Sequence, residues 1–585
     1  MTEDREFRVR PGKANRTSGQ SRAVGGLVTE VLRVAARSSG GRRFGRGGSR
    51  LRGPSTFGRG RAAFARSRLF GSGRRVLVKA LPVRHRRNGR TMTPLSAHIA
   101  YLKREGVTRD GSPAQMFDGT GDNADASSFA DRCNGDRHHF RIIVSPEEAA
   151  ELTRLRDYTR DLVRQMEADL GTRLDWVAVD HWNTDNPHVH LLVRGVTDTG
   201  ADLVMARDYI SHNLRSRAEE LAYAELGPKP EHEVLRTRER EVTAERWTRL
   251  DFEIQRGADE LGMIDLRPEH LGPDDPVIRR LMIGRLQHLE SMGLAGETEP
   301  GQWAMVPDAE LKLRELAARG EIIRTIGRAL DDHGHARGLE SYEIVGSAPA
   351  KPVVGRLLDK GLHDELTGTA YAVIDGVDGR THYVRFPGIE TLEHSPEPGG
   401  IVELRSIDRP GDSKPTLILA TRSDLDLAAQ VKARGATWLD HRLIERGAGV
   451  ADGGFGAEVK RAMEQRTDHF VREGLARRYG DRVMFERGLL EALQRRELDE
   501  AGAEIAGRTG LAYRPTASGA KIAGTYRQRV TLTSGRFAMI DDGLGFSLVP
   551  WSAGLERELG RQVAGVVGDS GGISWGLGRK RTLGI

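Results

Sequence analysis

Apolar and polar positions set out the first half of the chain before any chemistry is considered. RVLVKALPV, from Arg75, alternates as a strand does, and Pro82 places it at a sheet edge or an ending. HHFRIIV (His138–Val144) reads as a buried strand, and DWVAVD (Asp175–Asp180) and HVHLLVR (His188–Arg194) as two more. Helical signals fall between them. LSAHIAYLKREG, Leu95 to Gly106, closes on glycine. Ser145-Pro146-Glu147-Glu148 has the signature of a capped helix start, with Leu152, Leu155, Leu162, Val163, Met166 and Leu170 at helical spacing before Gly171. A Gly/Asp/Ser-rich loop is expected from Asp110 to about Asp136, and a helix from Ala206 to Leu226. The resulting β-α-β-α-β-β-α order predicts an α+β domain with a mostly antiparallel sheet over residues 74–230.

Beyond it the pattern changes several times. A charged helix is expected over Glu231–Leu261. VIRRLMIGRLQHLESMGLA, Val277 to Ala295, has the character of a recognition helix, and GETEPGQWAMV could form a wing behind it. That makes Asp274–Val306 a winged-helix-like candidate inside a largely helical region, 231–345. Short β runs with Gly/Asp turns predict a small β domain over 350–420. The remaining segment, 421–585, reads as an α/β region, mainly helical from Ser423 to Glu500 and β-rich from Ala512 to Leu583. No internal repeat is evident by inspection.

Composition narrows the function classes. A chain of 585 residues needs several cores, and no apolar run is long enough to span a bilayer. The single cysteine, Cys133, excludes an internal disulfide and cysteine-rich metal sites, which makes a reducing cytoplasm the expected location. Residues 1–90 hold 24 Lys+Arg against four acids, whereas the remainder holds 66 against 79. The positive excess is therefore confined to an Arg/Gly-rich leader, residues 1–73. Such a segment is expected to be disordered and able to hold polyanions by counterion release.

Candidate chemistry concentrates in HWNTDNPHVH. Alternate strand residues share a face, so His188 and His190 project together. If the flanking strands pair, the short NTDNP connection returns His181 beside them. Three neutral imidazoles on a rigid sheet suit a divalent ion and leave positions open for water or phosphate oxygen. Asp180, Asn183 and Asp185 are near enough in sequence to orient the rings or accept a proton.

This stretch, with an apolar strand behind it, resembles the third motif of MOB-P-type conjugative relaxases, members of the HUH (histidine–hydrophobe–histidine) single-strand endonucleases. AYLKREG resembles that family's nucleophile motif, and RIIVSPEEA its serine motif, in family order over about residues 74–230. The resemblance implies that Tyr101 is the nucleophile, that His181, His188 and His190 hold Mg²⁺ or Mn²⁺, and that Ser145, Lys103 and Arg104 contact DNA. Asn183 departs from the family's usual aspartate. The part beyond residue 230 is similar to the C-terminal region of unknown function in one relaxase subgroup.

The implied function is a site- and strand-specific nick by tyrosine transesterification. The enzyme would stay on the 5′ end and initiate conjugative transfer of a plasmid or mobile element. Expected partners are single-stranded DNA at the nick, flanking duplex, and accessory transfer and coupling proteins, with no membrane insertion. Two alternatives stay open: a rolling-circle replication initiator, and a non-enzymatic DNA-binding regulator with a degenerate nuclease domain.

Overall fold

A computed structural model describes residues 73–575 apart from 86–94, 105–107, 110–111, 183–185, 261, 269–275, 347–348, 350, 409–414, 446–448, 481, 518 and 569–571. The leader expected over 1–73 thus lies outside the described residues except at Gly73. The architecture is α+β with mainly antiparallel sheets. Two compact units form, one from residues up to Arg84 with Lys103–Arg240, the other from His85–Leu102 with Glu241 onward. Among the described residues no helix is long and apolar enough to cross a membrane.

In the first unit, β1 (Val76–Arg84), β2 (His138–Pro146), β3 (Trp176–His181) and β4 (His188–Arg194) make an antiparallel sheet in the order β1-β2-β4-β3. Pro82 does sit on an edge strand. Period-two alternation divides the sheet. Phe140, Ile142 and Val144 of β2, Trp176 and Ala178 of β3, and Val189, Leu191 and Val193 of β4 share a core with two helices, Leu155–Leu170 and Leu214–Leu226. Helix α1 (Leu95–Leu102) belongs to the second unit. The first unit contains helices α2 (Ala126–Arg132), α3 (Leu155–Leu170) and α4 (Leu214–Leu226).

Two local expectations fail here. The capping signature at Ser145 starts no helix: β2 runs through Pro146, with Ser145 paired to Leu77 and Pro146 to Val76. A proline is tolerated at a strand end, and pairing with β1 overrides the local cap. Helix α3 begins only at Leu155, with no side-chain cap. The loop expected up to Asp136 contains α2, whose Asp125 carboxylate accepts the N–H groups of Ser127 and Ser128.

The chain beyond residue 230 departs further. Instead of one charged helix there are two, α5 (Glu231–Val242) and α6 (Arg249–Gly257). Thr248 caps α6 reciprocally with Asp251. Strand β5 (Met263–Asp265), helix α7 (Pro276–Ser291) and the hairpin β6 (Ala295–Glu299) and β7 (Gln302–Met305) follow, forming a sheet in the order β5-β7-β6. After α8 (Ala309–Asp332) come β8 (Tyr342–Val345), β9 (Val353–Asp364), β10 (Thr369–Gly376), β11 (Thr381–Phe386), β12 (Ile401–Ile407) and β13 (Thr416–Ser423). Their order is β13-β12-β9-β10-β11-β8, with β8 parallel to β11.

The same plan then recurs. Helices α9 (Leu427–Lys432), α10 (Trp438–Ile444) and α11 (Gly454–Arg472) lead to a hairpin, β14 (Ala476–Tyr479) and β15 (Arg482–Phe485), within a stretch expected to be largely helical. Helix α12 (Leu489–Thr509) precedes β16 (Ala512–Tyr513), β17 (Lys521–Leu532), β18 (Gly535–Asp541), β19 (Gly545–Pro550), β20 (Gln562–Val567) and β21 (Ile573–Trp575). Read from its far edge, that sheet is β21-β20-β17-β18-β19-β16, and its first strand is again parallel to its fourth.

A buried ion pair fixes the correspondence residue by residue. Arg285, fully buried, donates to both oxygens of Asp251 and to the carbonyls of Val242, Ala244 and Arg246. Arg466 donates to both oxygens of Asp440 and to the carbonyls of Val431, Ala433 and Gly435. In each case the carbonyls lie at the same three offsets before the aspartate, and a threonine capping box encloses it. The chain therefore contains a tandem repeat, contrary to the reading from sequence.

Candidate metal centre

The face of the first sheet turned away from α3 and α4 carries the histidines. Register pairs His181 with His188 and Val179 with His190, so β3 and β4 deliver all three imidazoles to one side. The rings of His181 and His190 lie 4.6 Å apart between centroids, those of His188 and His190 4.9 Å, and those of His181 and His188 5.5 Å. One ligand atom from each falls within 4.8 Å of the others. All three side chains are buried.

Hydrogen bonding sets one tautomer. The Asn186 carbonyl can only accept, so His188 Nδ1, 3.0 Å away, carries the proton and Nε2 presents a lone pair. That Nε2 stands 3.1 Å from Nε2 of His190. At this separation His190 Nε2 either donates its proton to that lone pair or, as the other tautomer, turns a second lone pair towards a bound cation. The donor set therefore fits a divalent ion, with backbone support to hold a ring in place.

The other expected residues are distributed unevenly. Asp180 is one residue out of phase, so it projects to the helix side; its carboxylate accepts from Arg156 Nε at 2.9 Å and Trp182 Nε1 at 2.7 Å. It therefore does not orient the imidazoles. Asn183 and Asp185 lie outside the described residues. Ser145 sits on the imidazole face, where its hydroxyl donates to the Pro187 carbonyl at 3.3 Å and so ties β2 to the segment entering β4. Lys103 is exposed and Arg104 half-buried, just after α1. Tyr101 is grouped with the second unit, where its hydroxyl oxygen accepts from the Leu362 N–H at 2.9 Å.

Two residues of the same face went unread in the sequence. His139 and Arg141 are both buried on β2, 3.3 Å apart through Arg141 Nε and His139 Nε2. Register places Arg141 opposite Leu192, two residues along β4 from His190. The signal was present: in HHFRIIVS the polar positions 139, 141 and 145 alternate with Phe140, Ile142 and Val144.

Beside the end of β3 lies a 630 Å³ cavity lined in part by Arg109, Arg154, Arg156, Asp180 and Trp182. The Arg109 guanidinium stacks 3.7 Å over the Trp182 ring. Stacked guanidinium and indole planes beside further arginines are suited to a base and its phosphate.

Among known families, the one described as a protein of unknown function (DUF3363) matches residues 282–414 and 412–584, together just over half of the chain. No curated protein and no solved structure matches.

Proposed function

The chain belongs to the DUF3363 family, and from that premise we propose that this member is an HUH-type relaxase, a metal-dependent nickase acting on single-stranded DNA through Tyr101. The observation that carries the reading is the convergence of His181, His188 and His190 on one sheet face. Those residues would hold the ion, Mg²⁺ or Mn²⁺. When bound, it draws charge from the scissile phosphate and fixes it for in-line attack.

The chain's own groups do the remainder. The Tyr101 oxygen forms a bond to phosphorus as the bond from phosphorus to the 3′ oxygen breaks. The phenol proton passes to solvent, and the departing oxygen takes one up to become a free 3′ hydroxyl. The Leu362 N–H already points at the attacking oxygen and stabilises charge building there. Arg141 adds positive potential to the imidazole face, and the Arg109–Trp182 stack offers a platform for an unpaired base. Ester energy is retained in the phosphotyrosine, so religation needs no nucleotide cofactor. Such chemistry suits the start of conjugative transfer, with flanking duplex and transfer proteins as partners.

A denaturing gel tests the proposal. Wild-type protein with a single-stranded oligonucleotide carrying its nick site and Mn²⁺ should give a covalent adduct, and Tyr101→Phe none, with DNA binding largely spared. An adduct that persists in Tyr101→Phe excludes Tyr101 as nucleophile.

A further inference from the structure

The two repeats carry the same hairpin with different surfaces. In the first, Ala295–Met305 contains Glu297 and Glu299 and no basic residue. In the second, Ala476–Phe485 contains Arg477, Arg478 and Arg482. Arg477 pairs with Met484 and Tyr479 with Arg482, so these four side chains share one face. All four are exposed, Tyr479 at 59 % and Met484 at 63 %. The opposite face carries Ala476 and Phe485, which pack into the core with Phe470 and Leu489.

The first repeat serves as an internal control. Ala295 pairs with Met305 as Ala476 pairs with Phe485, which sets Gly296 and Ala304 where the second repeat has Arg477 and Met484. The hairpin therefore folds without arginine, tyrosine or methionine on that face. The side chains of Arg477 and Arg482 make no hydrogen bond or ion pair with any described residue, whereas Arg478 is tied to Asp468 at 2.6 Å. The hairpin backbone is held from behind by Ala476 and Phe485 against Phe470 near the end of α11. Helix α11 packs Phe455 and Val459 against Val377 and Ile401 of the first repeat's β region, and Glu458 bridges Arg337 and Arg356 there.

We propose that the β14–β15 hairpin is a duplex-DNA contact, with Arg477 and Arg482 on phosphates and Tyr479 and Met484 against the minor-groove wall. A ribbon with two such guanidinium groups flanking an aromatic and a thioether matches the groove's negative potential and its sugar-lined edges. The acidic hairpin of the first repeat does not. The sequence had pointed to that first hairpin as the wing, so the charge assigns the role to the other copy. The choice of DNA over another polyanion rests on the nickase reading.

The test uses the full chain and a labelled 30-base-pair duplex, with affinity measured by anisotropy across a salt series. Arg477→Ala with Arg482→Ala should weaken duplex binding and lower the slope of log K against log salt by about 2. Arg477→Lys with Arg482→Lys should keep the slope, and adduct formation on a single strand should be unchanged in both variants. An unaltered slope in the alanine variant overturns the proposal, as does an equal loss of single-strand binding. If the alanine variant instead loses binding to poly-glutamate while duplex binding holds, the hairpin is a protein contact and the proposal falls. Absence of adduct in wild type would count against the nickase reading alone, because the duplex slope is read separately.

Discussion

At the scale of single residues, strand alternation explains both what the sequence disclosed and what it hid. His188 and His190 are two apart on β4, and pairing brings His181 alongside, so the motif's spacing alone located the cluster. The same rule turns Asp180 to the helix side, where Arg156 and Trp182 take its oxygens. Nearness in sequence suggested otherwise, because it ignored phase. His139 and Arg141 are hard to see in the sequence because HHFRIIV reads as a buried strand, which conceals its alternation. Cys133 illustrates burial deciding reactivity: it is 1 % exposed, and burial pushes its thiol up to about 12. Native protein at pH 8 should take up no iodoacetamide in an hour, and one equivalent after denaturation, by intact mass. Rapid labelling of the native chain would contradict the buried placement.

At the scale of elements, the misread segments share a cause. Ser145-Pro146-Glu147-Glu148 satisfies the local rules for a helix start, yet nine residues of β1 pair along β2 and keep the backbone extended. The β14–β15 hairpin escaped notice because ARRY and RVMF are short and charged on the outward face. The repeat was concealed for a related reason, since its shared residues are the buried ones. Thr-x-Leu-Asp occurs at 248–251 and 437–440, and Gly-Leu-Ala at 293–295 and 474–476, each eight residues after the caged arginine. Exposed positions between them diverge. Each cage fills all five guanidinium donors. Lysine has three donors on a flexible stem and leaves carbonyls and carboxylate short. Arg285→Lys and Arg466→Lys should each cost about 3–5 kcal/mol in chemical denaturation. A loss under about 1 kcal/mol in either would show that the cage is not what holds these helices.

At the scale of the whole molecule, a sheet-borne site in one unit accompanies a tandem repeat in the other. The repeats are joined by a charged cluster in which Asp375, fully buried, accepts from Arg337 and Arg356, and Glu458 accepts from the same pair. Burial alone would raise the Glu458 carboxyl, but the Arg337 hydrogen bond and the Arg356 charge outweigh it and lower its pKa. Its stabilising contribution is therefore present above the ordinary glutamate value and is lost as pH falls through the lowered one. Glu458→Gln should cost about 1–2 kcal/mol at pH 7, and the difference in melting temperature should shrink below pH 4. A constant difference across that range would assign the cost to packing. The central claim is that strand alternation and pairing build a cation site from three imidazoles. Calorimetric titration of the metal-stripped full chain with Mn²⁺ tests it most directly. Wild-type protein should bind one ion per chain and His188→Ala with His190→Ala none; equal binding by both would contradict the account.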